Sequence, residues 1–275
     1  MSINETVLEM HFHNPIFDLF RETLGLGEGN FNFFKYSPQR ECFVGFDQAF
    51  VRTDLSEDAL FNKLKASARD DGYSLSNFFL GYFLQYKVVK TLQKRMRHTP
   101  HQITARPHYR VSLDTIKNIN TGQSQHELLF NLNRNQGALV YYACPMLFDR
   151  SELYREEPDL DLLRLADLSD CPSIYDDNES HFIYFNDTGA SPIWCSNPTE
   201  GKAYKPSEVV ENVRQQLIDP AELRENQLRL LDSLKGVTEN VITRKEEKIL
   251  SLVADSLTIL QFTSEEPNKQ RQANG

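Results

Sequence analysis

The chain has 275 residues, 40% of them hydrophobic and 11% aromatic, which is enough for a packed core and excludes wholesale disorder. Lys and Arg number 30 against 39 Asp and Glu, and the net charge of −9 argues against a protein that coats nucleic acid without selectivity. No run approaches about 18 apolar residues, and the first five residues lack the basic start and apolar stretch of a signal peptide, so a cytoplasmic protein that spans no membrane is expected.

In chain order, Asn14-Pro15 reads as a helix cap followed by proline at the first helical position. Ile16, Phe17, Leu19, Phe20 and Leu24 keep a helical period up to Gly25. Before them, His11-Phe12-His13 alternates like a strand. Phe31 to Phe34 and Cys42 to Asp47 are strand candidates, separated by a turn at Ser37-Pro38, and the second could run to Val51. Ser56 would cap a short helix, and the polar stretch around Asp70-Asp71-Gly72 reads as an insertion spanning about 52–77. Phe83 to Val89 is a strand with Gln85 and Lys87 on one face and Leu84, Tyr86 and Val88 on the other. Lys90 to Met96 is a helix candidate that Thr99-Pro100 would break.

Tyr109 to Leu113 is a short strand candidate, and a helix from Ser124 carries Leu128, Leu129 and Leu132 before Gly137 closes it. Ala138 to Pro145 is apolar on both faces, as befits a central strand covered on both sides. The order helix, strand, strand, strand, helix, strand is an α/β layout. Beyond it lie a short helix (Ser151 to Tyr154), an acidic Leu-containing segment, and strands at His181–Phe185 and Pro192–Cys195. From Ser207 the spacing of Val209, Val210, Val213 and Leu217 turns helical, and Ile249 to Leu260 repeats the pattern. The domain reading is therefore an α/β domain over 1–204, a helical appendage over 205–265 for packing or partner binding, and a disordered tail over 266–275.

Charge is uneven. Between Phe83 and Leu113 there is no acid, while Lys87, Lys90, Lys94, Arg95, Arg97, Arg106 and Arg110 form a basic stripe. Such a stripe either docks a polyanion or pairs with the acidic segment from Glu152 to Asp170. Cys42, Cys144, Cys171 and Cys195 contain no C-x-x-C pair, so buried reduced thiols are expected. No phosphate-binding glycine loop, dinucleotide fingerprint or nucleophile elbow is present.

One constellation carries chemistry. Asp47 ends one apolar run and Gln85 and Lys87 interrupt another; a carboxylate, an oxygen ligand and a cation are the parts of a divalent-metal nuclease. Gly45-Phe46-Asp47, Gln85-Tyr86-Lys87, the helix Gln125-His126-Glu127-Leu128-Leu129 and the strand Val140-Tyr141-Tyr142-Ala143 together resemble the PD-(D/E)XK nuclease superfamily. The glutamine in the third motif is similar to that of the methylation-directed, Mrr-like restriction endonucleases. The resemblance covers about residues 9–148 and implies a restriction-endonuclease-like core, a mixed sheet flanked by helices.

It further implies a metal-dependent DNA endonuclease of a bacterial or phage restriction or defence system. Asp47 and Gln85 would bind Mg²⁺ (or Mn²⁺), and Lys87 would position the attacking water or offset charge on the phosphorane. A glutamate from the first helix, Glu9 or Glu22, would complete the site. Glu41 shares a face with Asp47 but lies about 20 Å away at strand rise. Lys90, Lys94, Arg95, Arg97, Arg106 and Arg110 would meet the DNA backbone, and the C-terminal helices would hold a protein partner or a second copy. The alternative is a catalytically silent member of the fold that binds DNA or acts as a scaffold.

Blander roles stand beside each assignment. Asp47 would cap a turn, and Lys87 would guard a solvated sheet edge. His126-Glu127 would be a solvated helix end, and Trp194 would be core.

Overall fold

The computed structural model describes residues 3–23, 33–35, 48–50, 77–78, 81–117, 119, 122–134, 138–154, 158–175, 177, 179–195, 197–216 and 262–263. The α/β class holds: helices combine with one six-stranded mixed sheet and one five-stranded antiparallel sheet.

Helix α1 spans Glu5–Thr23 and begins ten residues before the proline that the sequence reading placed at its start. Asn4 caps it, its side chain accepting the Val7 N–H at 2.9 Å. Leu8, Phe12, Ile16 and Phe20 recur at four-residue spacing and are all buried. This stripe outweighs the roughly 3 kcal/mol that an interior proline costs a helix, so the chain stays helical through Pro15. It also places His11 and His13 in the helix rather than on a strand.

The six-stranded sheet runs, from one edge, β1 (Phe33–Lys35), β2 (Gln48–Phe50), β4 (Gly81–Tyr86), β7 (Ala138–Pro145), β8 (Leu163–Asp167) and β12 (Ala203–Tyr204). Neighbours are antiparallel except at the centre, where β4 and β7 are parallel with Gln85 opposite Tyr142. The parallel step is bridged by helix α2 (Gln125–Arg134), which precedes β7. The other strands are β3 (Asn77–Phe78), β5 (Val89–Leu92), β6 (His108–Ser112), β9 (Phe182–Phe185), β10 (Ile193–Cys195), β11 (Thr199–Glu200) and β13 (Phe262–Thr263). Of these, β11, β10, β9, β6 and β5 form the second sheet, and β3 pairs with β13.

Helix α3 (Pro206–Gln216) carries proline at its first position, and Glu208 accepts the Lys205 N–H at 2.7 Å. Its Val209, Val210 and Val213 join Leu8, Phe12, Ile16 and Phe20 of α1 over Leu84, Tyr86, Tyr141 and Ala143. One face of the mixed sheet is thus covered by the two helices. Across β7, Tyr142 faces α2, and Trp194 of the second sheet approaches it at 6.1 Å between ring centroids. Burial on both sides confirms Ala138–Pro145 as a central strand.

Several local expectations change. The strand at Gln85 ends at Tyr86, because the chain leaves the mixed sheet at Lys87-Val88 and enters the second sheet at Val89. Lys90 to Leu92 is strand, not helix: Val89 pairs with Val111, and tertiary pairing overrides a weak helical pattern. Ser151–Tyr154 belongs to a 3₁₀ turn, and the acidic segment contributes β8, whose Leu163 and Leu165 are buried at period two. The short helix at Ser56, most of the 52–77 insertion, the second helical segment (Ile249–Leu260) and the tail lie outside the described residues.

Candidate active site at the end of β4

Lys87 follows the last residue of β4 and donates its backbone N–H to the Ala143 carbonyl at 2.9 Å, so the ladder with β7 extends to it. Its side chain is buried, which rules out a solvated edge lysine; β4 is a central strand with β2 on one side and β7 on the other. Lys87 Nζ donates to Gln125 Oε1 at 2.8 Å and lies 3.5 Å from Glu5 Oε1. Gln125 opens α2 and Glu5 opens α1, so two helix starts converge on one ammonium.

Local sequence explains both starts. Ser124 accepts the Glu127 N–H at 3.0 Å, and Ser124-Gln125-His126-Glu127 has the spacing of a capping box. Glu5 lies in the first turn of α1, where the helix dipole favours an acid.

Gln85 is buried two residues before Lys87 and shares a ladder rung with Tyr142. Its Nε2 reaches the Tyr86 carbonyl at 3.3 Å. Glu9 is buried one turn along α1 from Glu5, whereas Glu22 is exposed near the far end of the same helix. Asp47 and Glu41 lie outside the described residues. Gln48, which follows Asp47, pairs with Leu84, which precedes Gln85, so β2 and β4 are hydrogen-bonded neighbours.

Gln125 and Glu5 are the site residues that sequence reasoning missed. Gln125 lies within the motif Gln125-His126-Glu127, whereas Glu5 precedes Asn14-Pro15, where the sequence places the start of α1. Among the described residues, no three His, Cys, Asp or Glu side chains form a metal-binding group. The oxygen donors described near Lys87 are the Gln85 amide, on the sheet face that carries Tyr142, and the Glu5 carboxylate at the start of α1, both hard ligands of the kind Mg²⁺ takes.

The basic stripe lies on the β5–β6 hairpin of the second sheet and the loop joining its strands. Lys90, Lys94, Arg95, Arg97 and Arg106 are exposed, and Arg110 is half-buried with its guanidinium 4.5 Å from the Phe182 ring centre. Lys90 and Arg110 stand directly opposite each other across the ladder, a like-charge pairing that costs stability unless an anion offsets it. No ion pair among the described residues joins this stripe to Glu152–Asp170, where Asp161 instead meets Lys205 at 2.9 Å. Inside the hairpin His108 is buried, and its imidazole is held below its ordinary pKa chiefly by desolvation, with the charges of Arg95, Arg106 and Arg110 adding to that effect.

No family model, curated protein or solved structure matches the chain.

Beside the Lys87 site lies a second polar cluster. His126 is fully buried, contrary to the expectation of a solvated helix end, because α2 lays its first turn against β7. Its Nδ1 is 2.8 Å from the Tyr142 hydroxyl, and its ring stacks with both Tyr142 and Tyr175. Tyr175 stacks in turn on His181 at 4.0 Å, and His181 bonds Asp177 at 2.7 Å. Desolvation pushes the His126 pKa down to about 4, and burial pushes the Cys171 thiol up to about 12. The 3.8 Å contact between these two is therefore a neutral pair and not an activated nucleophile. Cys144 and Cys195 are likewise free, buried thiols.

Proposed function

We propose that the protein is a metal-dependent DNA endonuclease with a restriction-endonuclease-like core, acting in the cytoplasm in restriction or defence of a bacterium or phage. The observation that carries this reading is the Lys87 ammonium at the end of a central strand, where β4, α1 and α2 meet, two residues after a buried Gln85. The strand arrangement adds support: an antiparallel β1–β2–β4 set is followed by α2 and a β7 parallel to β4, the order of the superfamily core that the motifs resemble.

In this reading Asp47 and Gln85 would hold Mg²⁺ or Mn²⁺, with Glu5, which faces Lys87, or Glu9 one turn along as the helix-borne acid, and the bound cation would supply Lewis-acid polarisation of the scissile phosphate. A water oxygen bonds to phosphorus and gives up a proton to solvent, a phosphorus–oxygen ester bond breaks, and the departing oxygen takes up a proton from solvent. Lys87 has three N–H donors, of which Gln125 takes one and Glu5 faces another. The third is left, among the described residues, for the attacking water or a phosphoryl oxygen, where preorganised positive charge lowers the barrier. Lys90, Lys94, Arg95, Arg97, Arg106 and Arg110 would track the DNA backbone and fix its register.

Incubation with supercoiled plasmid and Mg²⁺ or Mn²⁺ tests this. Nicking is expected in the wild type, with a fall of roughly 10²–10³-fold in Lys87→Ala and loss in Asp47→Ala. Cleavage that survives both substitutions would sink the site. DNA binding without cleavage under either metal would favour a silent, scaffold-type member of the fold.

A further inference from the structure

The Lys87 site and the His126 cluster are joined by a closed circuit of contacts. On the strand side, Gln85 faces Tyr142 across the β4–β7 ladder, and Lys87 bonds the carbonyl of Ala143, the residue after Tyr142. On the helix side, the Tyr142 hydroxyl meets His126 Nδ1 at 2.8 Å, and Gln125, bonded covalently to His126, meets Lys87 Nζ at 2.8 Å. We propose that the Tyr142–His126 hydrogen bond is a positioning clamp for the Lys87 ammonium, acting through Gln125.

The His126 ring has little freedom. Tyr142 lies nearly parallel to it, at 6.0 Å between ring centres and 10°, Tyr175 stacks on it at 5.0 Å, and the Ser173 carbonyl is 3.4 Å from Nε2. The His126 backbone N–H donates to the Asp114 carbonyl at 2.9 Å. With Ser124 capping the same turn, the Cα of Gln125 is fixed from both sides.

The ammonium needs such a fixture. A lysine side chain has four rotatable bonds and presents a compact point charge, so a single partner does not define its direction. Glu5 is the looser partner, at 3.5 Å with its side chain 44% exposed, and Gln125 is the closer one. Removing the Tyr142 hydroxyl takes away the bond that ties this turn to β7 and loosens the reach of Gln125, while the Asp114 and Ser124 bonds keep the turn helical. The catalytic meaning of the clamp rests on the nuclease reading, whereas its hold on Lys87 does not. Tyr142 and His126 touch no substrate in this scheme and are positioning residues.

The test is the ¹H–¹⁵N signal of the Lys87 ammonium in ¹⁵N-lysine-labelled protein, assigned by its absence in Lys87→Arg. A buried ammonium held by Gln125 is expected to exchange slowly with water and to give a sharp signal. In Tyr142→Phe the signal should broaden or vanish while far-UV circular dichroism is unchanged. Where the wild type cleaves DNA, turnover at saturating DNA should fall roughly 10- to 100-fold, as for a misplaced group, with DNA affinity unaltered. An unchanged signal in folded Tyr142→Phe, or a wild type with no such signal, overturns the proposal. Should Tyr142→Phe fail to fold, Gln125→Ala at the half-buried helix start must remove the signal, and its persistence there overturns the proposal equally. A wild type that cleaves no DNA but loses the signal in Tyr142→Phe defeats the nuclease reading and leaves the clamp standing.

Discussion

Lys87 and His126 are polar groups buried within one helical turn of each other's partners, yet their surroundings are opposite in kind. Around Lys87 the protein supplies a carboxylate and an amide oxygen, and one of them, Glu5, keeps nearly half of its side chain in water. Around His126 it supplies aromatic faces, a hydroxyl and a carbonyl and, among the described residues, no group of opposite charge within contact. The first environment stabilises a cation; the second excludes one, which is why the imidazole is neutral down to about pH 4. The difference separates a place that can do electrostatic work from one that holds the scaffold. It also predicts that damage at the two places will show in different measurements.

The largest expected effect on stability falls on the scaffold side. Trp194 is fully buried on β10 beside Tyr142, and Trp194→Ala should cost roughly 3–5 kcal/mol in a denaturant titration, the range for large aromatic truncations. A loss under about 1 kcal/mol would mean that the second sheet does not support the stack. Next comes acid. The folded-state pKa of His126 is about 4 against an ordinary 6.5, so below pH 6.5 the unfolded chain binds a proton that the fold refuses. The stability contributed by the neutral ring is complete above pH 6.5 and is lost as pH falls toward 4, by about 3 kcal/mol over that window. The titratable groups facing the ring are Tyr142, Tyr175, Cys171 and, at longer range, His181. Because carboxylates also titrate there, the measurement is the difference between the wild type and His126→Gln. The variant should show a flatter loss of melting temperature between pH 6.5 and 4.5.

The same contrast explains what was legible in the sequence. Apolar periodicity revealed Ala138–Pro145, Val209–Val213 and the stripe Leu128-Leu129, because burial on a face leaves a repeating mark. The pairing of Gln85 with Lys87 was legible as polar residues interrupting an apolar run. The start of α1 was not, since Asn14-Pro15 imitates a capped helix start, and only the long stripe Leu8-Phe12-Ile16-Phe20 overrides it. That misreading hid Glu5. The His126 stack was hidden for another reason: its members come from residues 126, 142, 175 and 181, and no local spacing announces a contact closed by tertiary packing. Lys90 to Leu92 reads as helix in the sequence because its strand partner, His108 to Arg110, is remote and half-polar.

The smallest effect on stability should coincide with the largest on activity, and this coincidence is the sharpest check on the comparison. Lys87→Met keeps the length and much of the packing of the side chain and removes only the ammonium. Glu5, with its side chain 44% exposed, can return to water, and Gln125 is half-buried at a helix start where water also reaches. The loss should therefore resemble that of an exposed ion pair, within about 1 kcal/mol, and not the 3–5 kcal/mol that follows when a fully buried partner is stranded. Metal-dependent cleavage, by contrast, should fall roughly as far as in Lys87→Ala, since Met supplies the stem and no donor. Chemical denaturation and plasmid nicking on the same preparation decide the matter. If Lys87→Met unfolds like Trp194→Ala, Lys87 belongs to the scaffold and the two regions do not differ. If it folds and still cleaves, the charge at the end of β4 serves something other than phosphodiester hydrolysis.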